Sequence, residues 1–409
     1  MKTACDGPEW VDRLNALGEG VSDPRHLIPL DADEMINVAA RSTGLADFGA
    51  TMWEPAYRTL VRALNEEAEL HTLGRLLCRH DLLRHLRNRL QLAPLFRGVA
   101  AERIEQPIFV VGPPRSGTSI LFELLSQDER FRTPATWEVH RPAPPPQADS
   151  YRRDPRIALG HREATFWNDV RPEYRAMHEE GGQLPKECIA IMSHEFNSDY
   201  WTQVASVPSY NAARGGWDAV APYRYHRQFL QVLQSRHRRD HWLLKAPSHL
   251  LQLRSLFAVY PDARVVHTHR DPHRTVPSTI SILRATRRMR TDAALTKDEA
   301  RRVGLGLGYV LQMVTSWRKD GEVPEAQFAD VHFTDLMTDA VGTIGKLYQQ
   351  LGWKLTDEMA TRIERYLKNK PRGKFGRHEY SLADEDISPA DVDAAYATYV
   401  DYYRVAGER

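Results

Sequence analysis

Residues 107–125 read PIFVVGPPRSGTSILFELL: an apolar run, a turn dense in glycine and proline, then apolar positions at helical spacing. A buried strand feeding straight into a helix needs a crossover back to its next parallel neighbour, and this confines the chain to a layered α/β architecture. Gly112 and Gly117 allow a sharp turn that aims several backbone N–H groups and the helix N-terminus at one anion. The expected fold is a P-loop-like, three-layer arrangement with a central parallel sheet flanked by helices. A phosphate-like group is the expected ligand of the turn.

The loop departs from the nucleotide triphosphatase pattern in an informative place. The two glycines keep the required spacing, but Thr118 stands where that pattern has its lysine, Ser119 follows, and the cation is Arg115 inside the loop. A kinase or Mg-ATP hydrolase without this lysine lacks the group that reaches the terminal phosphates. A cofactor with one 5′-phosphate and a second anionic group suits the loop better. The alternatives are a P-loop nucleotide phosphotransferase and a non-catalytic nucleotide-binding module.

Two downstream stretches, Trp242 to His249 and Ala263 to Pro272, each read as a buried strand ending in polar groups. Ligands of open parallel sheets bind beyond the carboxyl ends of the strands, so Lys245, His249, Arg270 and Ser278 are expected near the same crevice as Arg115. Ser278 lies eight residues after Arg270, in a stretch that begins a helix, and the pair can hold a second phosphate. His269-Arg270-Asp271 spells the kinase catalytic triplet, but Val276 occupies the position of the required asparagine. The kinase reading fails.

With these residues in view the chain resembles the bacterial branch of the sulfotransferases that use 3′-phosphoadenosine 5′-phosphosulfate (PAPS). The matching pieces are Pro114 to Thr118, Lys245 to His249, Pro261 to Pro272 with Ser278, and Lys370 to Lys374 with His378 and Tyr380, in the family's order. The resemblance implies that Pro114, Arg115, Ser116, Gly117, Thr118 and Ser119 hold the 5′-phosphosulfate, and that Arg270 and Ser278 hold the 3′-phosphate. Arg372, Gly373 and Lys374 would form a late basic loop closing over the cofactor, whose product is PAP.

Sulfuryl transfer, like phosphoryl transfer, builds negative charge on the leaving oxygen, and cations beside that oxygen accelerate it. Arg115 and Lys245 are the candidates. A sulfuryl group carries less charge than a terminal phosphoryl, so no metal is expected. The acceptor hydroxyl needs a base. Glu138 ranks first, because relatives place a glutamate at about this distance after the loop. His249 and His140 follow. The alternative for Glu138 is a helix cap or surface ion pair.

The 409 residues carry a formal charge of only +1, which argues against a nucleic-acid partner. The three cysteines, Cys5, Cys78 and Cys188, are far apart and form neither a disulfide framework nor a zinc site. No apolar run reaches membrane-spanning length and the first residues lack a signal-peptide core, so a cytoplasmic enzyme without stable membrane insertion is expected. His194-Glu195 has Ser198 where a zinc protease needs its second histidine. His267, His269 and His273 straddle a strand end and are not expected to converge on a metal.

Residues 1–100 read as a helical extension, with Leu60, Leu64, Leu73, Leu76, Leu77, Leu83, Leu86 and Leu90 at three- and four-residue steps. Core packing explains this stripe better than subunit or membrane contact, since Glu66, Glu67 and Glu69 mix with the arginines. The catalytic domain is expected over 101–409, with an acceptor-side insert at about 141–230 that opens on the proline run Arg141 to Gln147. The insert carries Tyr174, Tyr200, Trp201, Tyr210, Trp217, Tyr223 and Tyr225. An aromatic or lipid-like small-molecule acceptor follows from these rings, although core packing accounts for most of them. A homo-oligomer stays open.

Overall fold

The computed structural model describes residues 7–49, 52–370 and 380–408. The chain divides into two compact units: Met1–Arg103 with Pro134–Arg238 and Leu283–Ala294, and Ile104–Thr133 with Arg239–Ile282 and Leu295–Arg409.

The second unit holds the sheet. Strands β1 (Ile108–Val111), β2 (Phe131–Arg132), β3 (His241–Lys245), β4 (Arg264–His269) and β5 (Phe328–His332) lie in the order β2-β3-β1-β4-β5. Each neighbouring pair is parallel. All four residues of β1 are buried, as an unalternating Ile-Phe-Val-Val run requires in a strand covered on both faces. Ile108, Val110, Leu243 and Val266 pack with Leu121, Leu124 and Leu125 of the helix Thr118–Leu125 and with Ile344 and Leu347 of the helix Ala340–Gln350. The helix Pro272–Arg288 follows β4, and Lys297–Lys319 precedes β5.

This strand order decides where a ligand can sit. The chain leaves β1 toward β2 on one side, while β4 and β5 lie on the other, so the order reverses between β1 and β4. Loops leaving the carboxyl ends of such strands diverge and open a crevice. The loop that begins at Gly112 follows β1, and Arg270 follows β4.

The first unit is helical. Leu60 and Leu64 of the helix Trp53–Glu66, and Leu83, Leu86 and Leu90 of Thr72–Gly98, are buried with Phe196, Trp201, Val207 and Tyr210. The leucine stripe of residues 60–90 thus packs against residues 196–210. Buried charge in this unit includes one paired cluster: Asp81 receives Arg84 and Arg290, each at 3.0 Å.

Candidate active site

In the second unit the turn is shaped by contacts with β4 that no local pattern reveals. Gly112 has φ +152°, and a Cβ there would meet Thr268 Oγ1 at 2.1 Å; Gly117, at φ +91°, would meet the Phe333 ring at 2.6 Å. Both positions combine a conformation that favours glycine with a close approach that excludes a side chain. Ser116 is fully buried, and its hydroxyl donates to Pro113 O at 2.6 Å while sharing a 2.6 Å hydrogen bond with Thr268 Oγ1. The Ser116 side chain therefore holds the loop's shape. The first-turn amides of Thr118–Leu125 have, by helix geometry, no intrahelical acceptor and are the groups there that could meet an anion.

Lys245, the last residue of β3, is buried and donates from Nζ to Ser119 Oγ at 3.0 Å. Arg115, with φ +68°, donates from Nε to Ser278 Oγ at 3.0 Å, and its carbonyl accepts from Arg270 Nη1 at 2.9 Å. The Arg270 guanidinium lies 3.9 Å from the Phe333 ring centroid, and its backbone N–H donates to Tyr399 Oη at 3.1 Å. Arg115, Arg270 and Ser278 are one cluster. Pro114 sits within the same turn, and Thr118 opens the helix that follows it. Arg372, Gly373 and Lys374 lie outside the described residues.

His249 is fully buried in the 3₁₀ turn Pro247–Gln252, its ring edge-on to Phe109 of β1 with centroids 5.1 Å apart. The other histidines separate. His267 and His269, two residues apart on β4, share one face with ring centroids 4.2 Å apart, and they converge with Asp330 of β5. Asp330 is paired with His267 across the sheet, a neighbour that residue spacing along one strand cannot show. Its carboxylate accepts from His269 Nε2 at 2.8 Å and from Arg318 at 2.8 and 2.9 Å. Burial alone would raise the Asp330 carboxyl, yet His269 and Arg318 hold it well below the usual range. His273 turns away to Asp393 at 2.8 Å.

In the first unit, Glu138 lies on the short helix Thr136–His140 that follows β2 by a few residues. A helix forms because Glu138 Oε2 accepts the Ala135 N–H at 2.8 Å, closing the first turn. The same oxygen accepts from Tyr151 Oη at 3.0 Å, and Glu138 is fully buried.

The next residues, Val139, His140 and Arg141, line a cavity of about 580 Å³ with Leu76, Leu77, Leu159, Phe166 and Trp167 among its apolar walls. Glu163 is its polar anchor, accepting from His80 Nε2 at 3.0 Å, Arg84 at 2.9 Å and Arg141 at 2.6 Å. Burial acts to raise the Glu163 carboxyl, but Arg84 and the nearby histidines hold it far below the ordinary value. His140 Nδ1 lies 3.5 Å from Glu163, and burial with the Arg84 charge pushes the imidazole down to about 4. Tyr200 lines the cavity and donates to Asp81 at 3.0 Å, whereas Trp201, Tyr210 and Tyr223 are fully buried core residues. Arg156 ties down the proline run by donating to Arg141 O at 2.9 Å and Pro144 O at 2.6 Å.

Residues 107–357 match the sequence model described as the sulfotransferase family. The chain belongs to the sulfotransferase family. Among relatives, the omega-hydroxy-beta-dihydromenaquinone-9 sulfotransferase Stf3 of Mycobacterium tuberculosis and of Mycobacterium bovis is 27% identical over 314 residues, 73% of this chain and 75% of the relative. The crystal structure of sulfotransferase STF1 from Mycobacterium tuberculosis superposes with a TM-score of 0.78 at 28% identity, covering 90% of this chain and 98% of that one. The structure of STF9 from Mycobacterium avium, with a TM-score of 0.79 and 24% identity, covers 91% and 97% and shares the fold.

Two features, one in each unit of this sulfotransferase, escaped the sequence reading. Thr268 was hidden inside the strand motif, although its position two residues before Arg270 places it at the strand end that faces the turn. Glu163 and Arg84 carried no local signal, because each acquires meaning only through the other.

Proposed function

We propose that this sulfotransferase takes its sulfuryl group from PAPS and delivers it in line to a hydroxyl of a small, apolar acceptor. The observation that carries the donor assignment is the cluster of Arg115, Arg270 and Ser278 beside the Gly112–Gly117 turn. The fit to a phosphorylated nucleotide is supported by chemistry already visible there: Arg270 holds an anion, the Glu408 carboxylate, at 2.6 Å. When bound, PAPS supplies an activated sulfuryl group on a phosphate leaving group.

The chain's own residues then have separable tasks. The turn amides and the side chains of Thr118 and Ser119 would hold the 5′ end, and Arg270 and Ser278 the 3′-phosphate. Lys245, fixed by Ser119, brings a buried cation to the end of β3, where negative charge on a leaving oxygen would be stabilised. Arg115 can add a second cation. Glu138 is proposed to accept the acceptor's proton, with His249 and then His140 as the alternatives. The cavity lined by Val139, His140 and Arg141 is the proposed acceptor site, its wall continuous with the helix that carries Glu138. Stf3 is named for an omega-hydroxylated menaquinone, a long apolar molecule with a hydroxyl, and leucine and aromatic walls suit an acceptor of that class.

Calorimetric titration of the metal-free protein with PAP, ADP and ATP tests the donor assignment. Tight PAP binding with much weaker ADP binding is expected. Preference for ATP, especially with magnesium, would overturn it in favour of phosphoryl transfer.

A further inference from the structure

Arg270 presents its fork edge to a carboxylate of its own chain. Nε donates to Glu408 Oε1 at 2.6 Å and Nη2 to Glu408 Oε2 at 2.9 Å, the bidentate geometry that a guanidinium offers to a carboxylate or a phosphate alike. Nη1 is engaged by Arg115 O at 2.9 Å, and one face of the guanidinium is covered by Phe333 at 3.9 Å. The pair is sheltered, with the Arg270 and Glu408 side chains 13% and 17% exposed. Glu408 is seated by more than its charge: its N–H donates to Asp271 Oδ2 at 2.7 Å, and its carbonyl accepts from Arg274 Nη2 at 3.0 Å.

We propose that Glu408 is an internal stand-in for the nucleotide's 3′-phosphate, a latch that PAPS must displace from Arg270 and that reclaims Arg270 when PAP leaves. The inference rests on the assignment of Arg270 to the 3′-phosphate. A phosphate dianion approaching the same fork meets a carboxylate on it, and two anions sharing one cation in a sheltered site repel strongly. Entry of the 3′-phosphate therefore exchanges one charge-assisted pair for another. The exchange lowers net affinity for PAPS and PAP, keeps Arg270 paired between turnovers and favours product departure. A nucleotide without a 3′-phosphate does not compete for the fork, and the latch leaves its affinity unaffected.

Glu408→Gln keeps the shape and removes the charge. In calorimetric titrations, this variant is expected to bind PAP about tenfold more tightly than the parent, the scale of one hydrogen bond to a charged group. It should release PAP correspondingly more slowly in stopped-flow displacement, and bind AMP as the parent does. The gain should vanish in an Arg270→Ala background, and Glu408→Ala should reproduce it. Unchanged or weaker PAP binding by both Glu408 variants, at an unchanged melting temperature, would overturn the latch and leave Glu408 as a carboxylate that merely orients Arg270. An equal gain for AMP would also overturn it. Absence of PAP binding by the parent and every variant would instead remove the donor assignment, and the latch with it.

Discussion

Glu138 illustrates how one side chain can carry a structural task beside a proposed catalytic one. Its carboxylate closes the first turn of its own helix through Ala135 and accepts from Tyr151. Both donors meet the same oxygen, Oε2, and hold the carboxylate in place, and a base must be held within reach of the proton it takes. Glu138→Gln is expected to leave PAP affinity nearly unchanged and to lower turnover by about 10²-fold or more, the scale of general-base catalysis, in a steady-state assay. A full rate would move the role to His249 or His140. At this scale the sequence was informative wherever a residue's neighbours lie along the chain: Arg115, Ser119, Arg270 and Ser278 were named from motif spacing, and the structure brings Arg115 and Ser278 within 3.0 Å. It was uninformative about His267 and His269, whose decisive neighbour, Asp330, arrives from another strand.

At the scale of elements, the strand–turn–helix beginning at β1 depends on two contacts between segments distant in sequence. Thr268 fills the space a Gly112 side chain would need, and Phe333 fills that beside Gly117. Gly112→Ala combines a conformation disfavoured for alanine with a collision against β4, a strain on the order of 1–3 kcal/mol before any backbone shift. The variant is expected to lose PAP affinity and to melt at lower temperature, measured by calorimetry; wild-type values for both would mean the turn needs no glycine at this point. The elements themselves were legible because their signals are local. An unbroken apolar run gave β1, and apolar spacing gave the helices. The short helix at Thr136–His140 carries no such signal, because a five-residue segment is too brief for periodicity.

Across the whole molecule, buried histidines couple the fold to pH. Burial pushes His226 down to about 3 and His140 to about 4, below the ordinary histidine value near 6.5. Between those limits the unfolded chain binds protons that the folded chain refuses, so stability rises with pH across this window and falls as pH drops through about 6.5 toward 4. Glu163 and Asp330, held below the usual carboxylate range, add a further loss once pH falls below about 4, where their unfolded counterparts take up protons. Thermal denaturation is expected to give a clearly lower melting temperature at pH 5 than at pH 7. An unchanged value would mean the histidines are not held neutral.

The sequence by itself determined the layered α/β class, the glycine turn after β1 and the residues that mark the sulfotransferase family, because each is written in contiguous segments whose physics is local. Tertiary structure alone decided which distant side chains meet: Thr268 under the turn, Asp330 beside His269, Glu163 among Arg84, Arg141 and His80, and Glu408 on Arg270. Such pairs are set by strand order and helix packing. Their energy depends on separation in space and on exclusion of water, and neither quantity is recorded in residue spacing.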